Sequence, residues 1–109
     1  MIERGQVCWV EPGAGNGHRF ASIVVQADPF NRSRIPTVLV VPLANNLRLL
    51  DSPGNVLVAA RSSGLGRETV ANVAQVLTLE RRQLRETSSR VDDSLLDAIS
   101  SGLELVLGL

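Results

Sequence analysis

Two short runs rich in β-branched residues lie close together in the first half of the chain, and they constrain its fold more than any other feature. The runs are Ala21–Gln26 and Thr37–Val41, and the segment between them contains Asp, Pro, Asn and Ser. Runs of this length that are bounded by turn-forming residues predict β-strands joined by a loop. We therefore expect two neighbouring strands, with Arg19 before the first and Asn45 after the second close to one edge.

The chain has room for one domain with one hydrophobic core, and we assign residues 1–109 to a single domain. Hydrophobic residues make up 44% of the chain and aromatic residues 3%, so the core must be largely aliphatic. No apolar run approaches the roughly 20 residues that a membrane helix needs, and no signal peptide is recognisable. Cys8 is a single cysteine and cannot form an internal disulfide. These features favour a cytoplasmic location and argue against a membrane partner.

Charge is distributed unevenly, although the formal net charge is zero. All 11 basic residues are Arg and lie at or before Arg90, whereas the residues after Arg90 carry only acidic charges. Arg is suited to bidentate contacts with phosphate, so this pattern is compatible with a nucleic-acid partner. A genome with a preference for Arg codons would produce the same composition, and the sequence leaves both explanations open.

The rest of the chain before residue 90 divides into short segments punctuated by Gly, Pro and Asn. Three further strands, four turns or helical turns and one Gly-rich loop follow from apolar alternation and turn residues. The strands are Gln6–Val10, Asn55–Ala60 and Thr69–Thr78; Glu11–His18 is a loop, Asn45–Leu50 a helical turn, Asp51–Gly54 and Ser62–Gly66 are turns, and Leu79–Leu84 is a short helix or turn.

The C-terminal segment has a different period, because its apolar residues recur at helical spacing from Val91 to Leu107. Asp92 is the expected N-cap, and Gly108 is expected to end the helix. About five short strands followed by one amphipathic helix predict a mainly β fold with helices (α+β). In such a fold the helix packs on a small β-barrel or sandwich.

Few residues of the chain are suited by type and spacing to catalysis or metal binding. Cys8 and His18 are too far apart in sequence for a typical metal motif, and Cys8 beside Trp9 in an apolar strand is expected to be a core residue. His18 and Arg19 are the remaining pair: His exchanges protons near neutral pH, and Arg stabilises a phosphate. Together they suit metal-free cleavage of RNA, in which the 2′-hydroxyl attacks. The alternative is that both are exposed loop residues without a role.

Several stretches occur in the order found in one family and together cover nearly the whole chain. They are Arg4-Gly5-Gln6-Val7 with Trp9, Ile23–Gln26 with Asp28, Phe30 and Asn31, Thr37-Val38 with Val40–Leu43, Pro53–Leu57, Gly64-Leu65, Val70, Asn72-Val73, Gln75-Val76 with Thr78, and Val106–Leu109. Through this ordered set of stretches, the chain resembles the MazF/PemK (Kid-like) family of toxin endoribonucleases from type II toxin–antitoxin systems.

The resemblance implies a small SH3-like β-barrel (CcdB/PemK-like) with a C-terminal amphipathic helix, assembled as a homodimer. It implies sequence-specific cleavage of single-stranded RNA without metal or cofactor, leaving a 2′,3′-cyclic phosphate and a 5′-hydroxyl. It also implies a MazE-like antitoxin as partner. The site residues that we expect are Arg19 and His18 for catalysis, and Asn45, Asn46, Gln26, Asn31, Arg32 and Gln75 for RNA binding.

The chain departs from the family pattern at two positions. The family's catalytic Arg and the Pro after it align with Phe20 and Ala21, one residue beyond Arg19. Ala44 stands where the family usually has Thr or Ser. Three hypotheses follow: a ribonuclease in which Arg19 and Asn45 compensate, a weakened or inactive member that binds an antitoxin, and a gyrase poison like CcdB. The last is disfavoured because the C-terminus lacks the Trp that CcdB toxins carry.

Overall fold

The computed structural model describes residues 1–13 and 17–109, which form one curled antiparallel sheet and a C-terminal helix. The predicted loop Glu11–His18 falls partly on residues 14–16, outside the described residues. The strands are β1 (Gln6–Val10), β2 (Phe20–Val24), β3 (Thr37–Ala44), β4 (Val56–Val58), β5 (Thr69–Ala71), β6 (Leu77–Glu80) and β7 (Leu84–Arg90). The helices are α1 (Asp28–Asn31), α2 (Ala60–Ser63) and α3 (Asp93–Leu107), and 3-10 turns cover Leu47–Asp51, Val73–Gln75 and Arg81–Gln83.

The strand order is β4-β5-β3-β2-β1-β7, with β6 also paired to β3. β3 is the central strand: it pairs with β2 along one side, and with β5 and β6 at the two ends of the other side. All of these pairs are antiparallel. The curled sheet with a helix packed on it confirms the predicted class, mainly β with helices (α+β).

The two strands that the sequence placed side by side are neighbours in the sheet. β2 and β3 pair in a register that joins Ala21 to Leu43 and Val24 to Val40. Their ends differ from the prediction, because β2 stops at Val24 and β3 continues through Pro42 to Ala44. The longer β3 carries the end of the pair into contact with β5.

The prediction of a single strand over Thr69–Thr78 is wrong. The segment is divided into β5 and β6 by the 3-10 turn at Val73–Gln75. The side chain of Asn55 holds this bend, since its Oδ1 accepts from the Val73 N–H at 2.9 Å and its Nδ2 donates to Asn72. The bend lets the chain leave one end of β3 and pair again at the other.

Three further differences concern polar segments. β7 was not predicted, because its sequence is mostly polar and only Leu84 is buried. The strand nevertheless pairs with β1. The predicted strand Asn55–Ala60 is shorter than expected because Ala60 begins α2, and Gly64 ends α2 with a φ of 75°. The loop between the central strands contains α1, with Pro29 in its first turn.

α3 matches the prediction closely. The Asp92 carboxylate accepts from the Leu95 N–H at 2.8 Å, and Gly108 ends the helix with a φ of 72°. Its buried face packs over one side of the sheet through Leu96, Ile99 and Gly102. Among the helices of the described residues, none combines the length and the hydrophobicity that a membrane crossing requires.

Apolar side chains cover both faces of the sheet. The larger cluster lies beneath α3 and includes Val7, Ile23 and Val41. The smaller cluster on the other face includes Cys8 and Leu84. Burial raises the pKa of the Cys8 thiol to about 11, which agrees with its expected role as a core residue.

Candidate functional site

A small cavity lies where β2 begins and β3 ends. Its volume is about 60 Å³, the space of about two water molecules. The lining residues come from four strands and the loops next to them: Trp9, Arg19, Phe20, Ala21, Leu43, Asn45, Leu65, Arg67 and Thr69. The cavity is therefore too small for a nucleotide but large enough for the oxygens of a charged group.

Strand pairing explains why these residues meet. Ala21 pairs with Leu43, so Arg19 before β2 and Asn45 after β3 lie at the same end of the sheet. Arg19 and Asn45 both line the cavity, which confirms the expectation that they lie near one edge. Trp9 joins them because it pairs with Ala21 from the other side.

The Arg19 side chain is held from two directions. Its Nε lies 3.1 Å from the Glu11 carboxylate, and its guanidinium carbon lies 4.5 Å from the centre of the Trp9 ring. About half of the side chain remains exposed to solvent. A guanidinium has five N–H donors, so the contact with Glu11 leaves donors for a ligand. The two contacts fix the position of the positive charge without neutralising the whole donor set.

Asn45, and not Ala44, lines the cavity. Successive side chains of a strand point to opposite faces, and Leu43 also lines the cavity, so the Ala44 methyl lies on the other side. Ala44 pairs there with Val70 of β5. In this structure the hydroxyl that the sequence lacks at position 44 would not face the cavity.

Arg67 and Thr69 belong to the cavity, and sequence reasoning missed both. They lie at the start of β5, and Thr69 is buried whereas Arg67 is exposed. One sequence signal points to them: residues 66–69 lie between two stretches that resemble the family, Gly64-Leu65 and the one that begins at Val70. The predicted turn ends at Gly66 and the predicted strand begins at Thr69, so Arg67 lies outside both.

His18 and Asn46 are exposed and do not line the cavity. His18 precedes Arg19 directly, so it stands next to the cavity by chain connectivity. The Asn46 side chain instead caps the following 3-10 turn, accepting from the Arg48 N–H at 3.1 Å. Within the part of the chain that the structure describes, the His18 side chain makes no such hydrogen bond.

Gln26 and Asn31 are buried at the other end of the β2–β3 pair, 7% and 3% exposed. Gln26 Nε2 donates to Asn31 Oδ1 at 2.9 Å, and Asn31 Nδ2 donates to the Gln26 carbonyl at 2.9 Å. Gln26 also bonds Thr37 and Leu39 of β3. Their amides are used inside the protein, so the prediction that they contact RNA is corrected to a structural role.

Arg32 and Gln75 are exposed, and neither lines the cavity. Gln75 Oε1 accepts from Asn72 at 3.4 Å beside the bend between β5 and β6. The structure does not bring these two side chains to Arg19.

A wider groove of about 470 Å³ lies on the other side of Glu11. It is lined by Glu11, Pro12, Gly13, Glu80, Arg82, Gln83 and Arg85. Glu11 contacts Arg19, so the groove and the cavity are neighbours. Arg85 lines the groove and pairs across the strands with Trp9, which lines the cavity. Two further arginines, Arg82 and Arg85, thus lie next to the cavity.

Residues 3–107 match the sequence model of a family described as the PemK-like, MazF-like toxin of type II toxin–antitoxin systems. Among curated proteins, endoribonuclease MazF6 of Mycobacterium tuberculosis is 34% identical, over 100% of this chain and 99% of that protein. Endoribonuclease EndoA of Bacillus subtilis is 25% identical, over 100% of this chain and 97% of that protein.

Solved structures share the fold. An endoribonuclease in complex with its cognate antitoxin, from a mycobacterial species, superposes with a TM-score of 0.81 at 24% identity, covering 100% of this chain and 97% of that chain. MazF from Deinococcus radiodurans superposes with a TM-score of 0.78 at 19% identity, covering 99% and 97%.

Proposed function

Because the chain belongs to the PemK-like, MazF-like toxins of type II toxin–antitoxin systems, we propose that it is a toxin that cleaves single-stranded RNA. The observation that carries the proposal is the cavity in which Arg19, Arg67 and Asn45 converge. Two guanidinium groups and an amide around a small space form a site for a phosphate group.

The proposed reaction is an internal transfer at phosphorus. The 2′-hydroxyl of the RNA loses its proton and attacks the neighbouring phosphorus, and the bond to the 5′-oxygen breaks while that oxygen gains a proton. The products are a 2′,3′-cyclic phosphate and a 5′-hydroxyl. Negative charge grows on the phosphate oxygens in the transition state, and Arg19, fixed by Glu11 and Trp9, stabilises it. His18 is the neighbouring group suited to carry a proton.

The groove beyond Glu11 is the proposed path for the RNA chain. Arg82 and Arg85 line it together with Glu11 and Glu80, of which Glu80 pairs with Arg82. The two arginines are the groups proposed to contact the phosphate backbone, without selecting bases. Base selection then falls to the loops around the groove. The RNA-contacting residues proposed here are Asn45, Arg67, Arg82 and Arg85, with Asn46 at the margin.

A cognate antitoxin is the proposed protein partner, since a structural neighbour is an endoribonuclease bound to its cognate antitoxin. A homodimer is proposed as well. Leu57 on the edge strand β4 is 42% exposed, and β4 packs against both α3 and the 3-10 turn that carries exposed Leu47 and Leu50. Exposed leucines gather around β4, whose outer side pairs with no strand of the described residues, and this favours burial against another copy.

The dimer is tested by analytical ultracentrifugation of Leu57→Arg beside Leu39→Arg. Leu39 is 39% exposed on β3 and serves as a control of similar exposure on another strand. We expect Leu57→Arg to give monomers and Leu39→Arg to sediment like the wild type. Equal sedimentation of all three proteins would contradict the proposed interface.

The cleavage proposal is tested by incubating a mixed RNA pool with wild type, Arg19→Ala and Arg34→Ala, and sequencing the new 5′ ends. Arg34 is an exposed arginine remote in sequence from the cavity lining and controls for loss of general positive charge. Losing one transition-state stabiliser lowers the rate by about 10²–10³. We expect that loss for Arg19→Ala alone; equal cleavage by all three proteins would exclude Arg19 from the site.

The second hypothesis, an antitoxin-binding protein with little or no activity, keeps one specific observation in its favour. Phe20 and Ala21, which align with the family's Arg-Pro, both line the cavity, and neither offers a hydrogen-bond donor from its side chain. If wild type binds its antitoxin and leaves the RNA pool intact, this hypothesis replaces the first.

A further inference from the structure

The hydroxyl of Thr69 is buried and makes no hydrogen bond within the described residues. The residue is 1% exposed, so bulk water does not reach the oxygen. Leaving a buried polar group unpaired is costly, and native structures tolerate it where a ligand, an ion or an ordered water completes the bond. Thr69 therefore requires an explanation that the packing around it does not supply.

Strand pairing places Thr69 beside the cavity. It pairs with Val58 on one side, and on the other side the neighbouring pair is Ala44 with Val70, which sets Thr69 across from Asn45. Thr69 is one of the residues that line the cavity together with Arg19 and Arg67. Thr69, whose hydroxyl is unpaired, and the two arginines thus line one space of about 60 Å³.

The chemistry of this space selects an anion. Among the described residues that line it there is no carboxylate, whereas there are two arginines and one amide. A hydroxyl donates one hydrogen bond, and that bond is shorter and stronger when its acceptor is charged. The volume admits one or two oxygens of a tetrahedral anion and excludes a base.

We infer that the Thr69 hydroxyl donates a hydrogen bond to a phosphate oxygen in a subsite shared with Arg19 and Arg67. It supplies a hydroxyl from β5, whereas the side chain at position 44 of β3 lies on the other side of the sheet. That the phosphate belongs to RNA rests on the proposed function, whereas the subsite itself rests on the cavity and the unpaired hydroxyl.

The first test measures binding of inorganic phosphate to the full chain. Trp9 is the single tryptophan and lines the cavity, so its fluorescence reports occupancy. Thr69→Val removes the hydroxyl at nearly constant shape, and Thr69→Ser keeps it. We expect about a tenfold weaker phosphate affinity for Thr69→Val, the effect of one charge-assisted hydrogen bond, and near wild-type affinity for Thr69→Ser. Thermal unfolding of each variant confirms that it folds.

The second test measures cleavage of the mixed RNA pool by the same three proteins. We expect Thr69→Val to cleave about 10- to 100-fold more slowly and Thr69→Ser to stay close to wild type. Wild type that shows no phosphate binding, or a Thr69→Val variant that binds phosphate as well as wild type, would overturn the inference. If phosphate binding depends on Thr69 but wild type cleaves no RNA, the subsite stands and the proposed function fails.

Discussion

The two ends of the β2–β3 pair carry similar polar groups and use them in opposite ways. At one end Gln26 and Asn31 are buried, and their amides bond each other and the backbone of β3. At the other end Arg19 and Asn45 surround a cavity, and the buried Thr69 hydroxyl has no partner among the described residues. At the first end, called the closed end below, the polar groups form hydrogen bonds within the protein and stabilise the fold. At the second, called the open end, hydrogen-bond donors remain available for a ligand. A polar residue next to a strand therefore indicates a site only when its donors are free.

The largest effect expected from this comparison is on stability at the closed end. Asn31→Ala removes three side-chain hydrogen bonds, two with Gln26 and one with Asp28. The buried Gln26 side chain then keeps only its bonds to Thr37 and Leu39. We expect the free energy of unfolding to fall by about 2–4 kcal/mol, since each lost bond costs about 1 kcal/mol and stranded groups cost more. Urea unfolding measures this loss.

Arg32→Ala is the matched control, because Arg32 is the exposed neighbour of Asn31. We expect its unfolding free energy to change by less than about 0.5 kcal/mol. The cleavage rate per folded molecule should be unchanged in both variants. A stable Asn31→Ala protein with impaired RNA binding would show that the closed end takes part in the site after all.

The open end gives the opposite expectation. Arg67→Ala removes an exposed guanidinium that lines the cavity, so the unfolding free energy should stay within about 0.5 kcal/mol of wild type. We expect cleavage of the RNA pool to slow by about tenfold, the effect of one hydrogen bond to a charged group. Arg61→Ala, an exposed arginine of the nearby α2, controls for overall charge. If both variants slow cleavage equally, Arg67 acts only through long-range attraction of the RNA and not through a contact in the cavity.

Sequence reasoning predicted the elements that rest on local patterns. The β2–β3 pair, β1 and α3 follow from apolar periodicity and from a cap such as Asp92, which are readable without knowledge of the rest of the fold. β7 and the bend after β5 depend on distant partners: β1 supplies the hydrogen bonds of a polar strand, and Asn55 holds the bend. Such tertiary contacts override a local pattern.

The same limit applies to the site. Arg19 and Asn45 could be placed together because antiparallel neighbours share an end, and the cavity contains both. Gln26 and Asn31 were expected to contact RNA because burial by a distant segment is not visible in a local sequence. Arg67 and Thr69 were missed because the pairing of β5 with β3 brings them to the cavity.

The smallest effect expected is a pH dependence that again separates the two ends. At the closed end, hydrogen bonds from the Arg4 N–H at 2.8 Å and from the Asn31 amide hold the pKa of Asp28 below its ordinary value of 3.8. A carboxylate with a lowered pKa contributes stability above its unfolded pKa and loses it as the pH falls through the folded value. Stability should therefore decline below about pH 4, measured by urea unfolding at a series of pH values.

Asp28→Asn should flatten part of that decline, because the amide cannot gain a proton in this range. Glu11→Gln at the open end should leave the acid slope nearly unchanged, since the Glu11–Arg19 pair is partly exposed and such pairs contribute about 0–1 kcal/mol. The same Glu11→Gln variant should slow RNA cleavage, because Arg19 then loses one of its two positioning contacts. The opposite result would be a loss of stability at low pH that Glu11→Gln flattens and Asp28→Asn leaves unchanged. That result would reverse the assignment of which end stabilises the fold and which end binds the ligand.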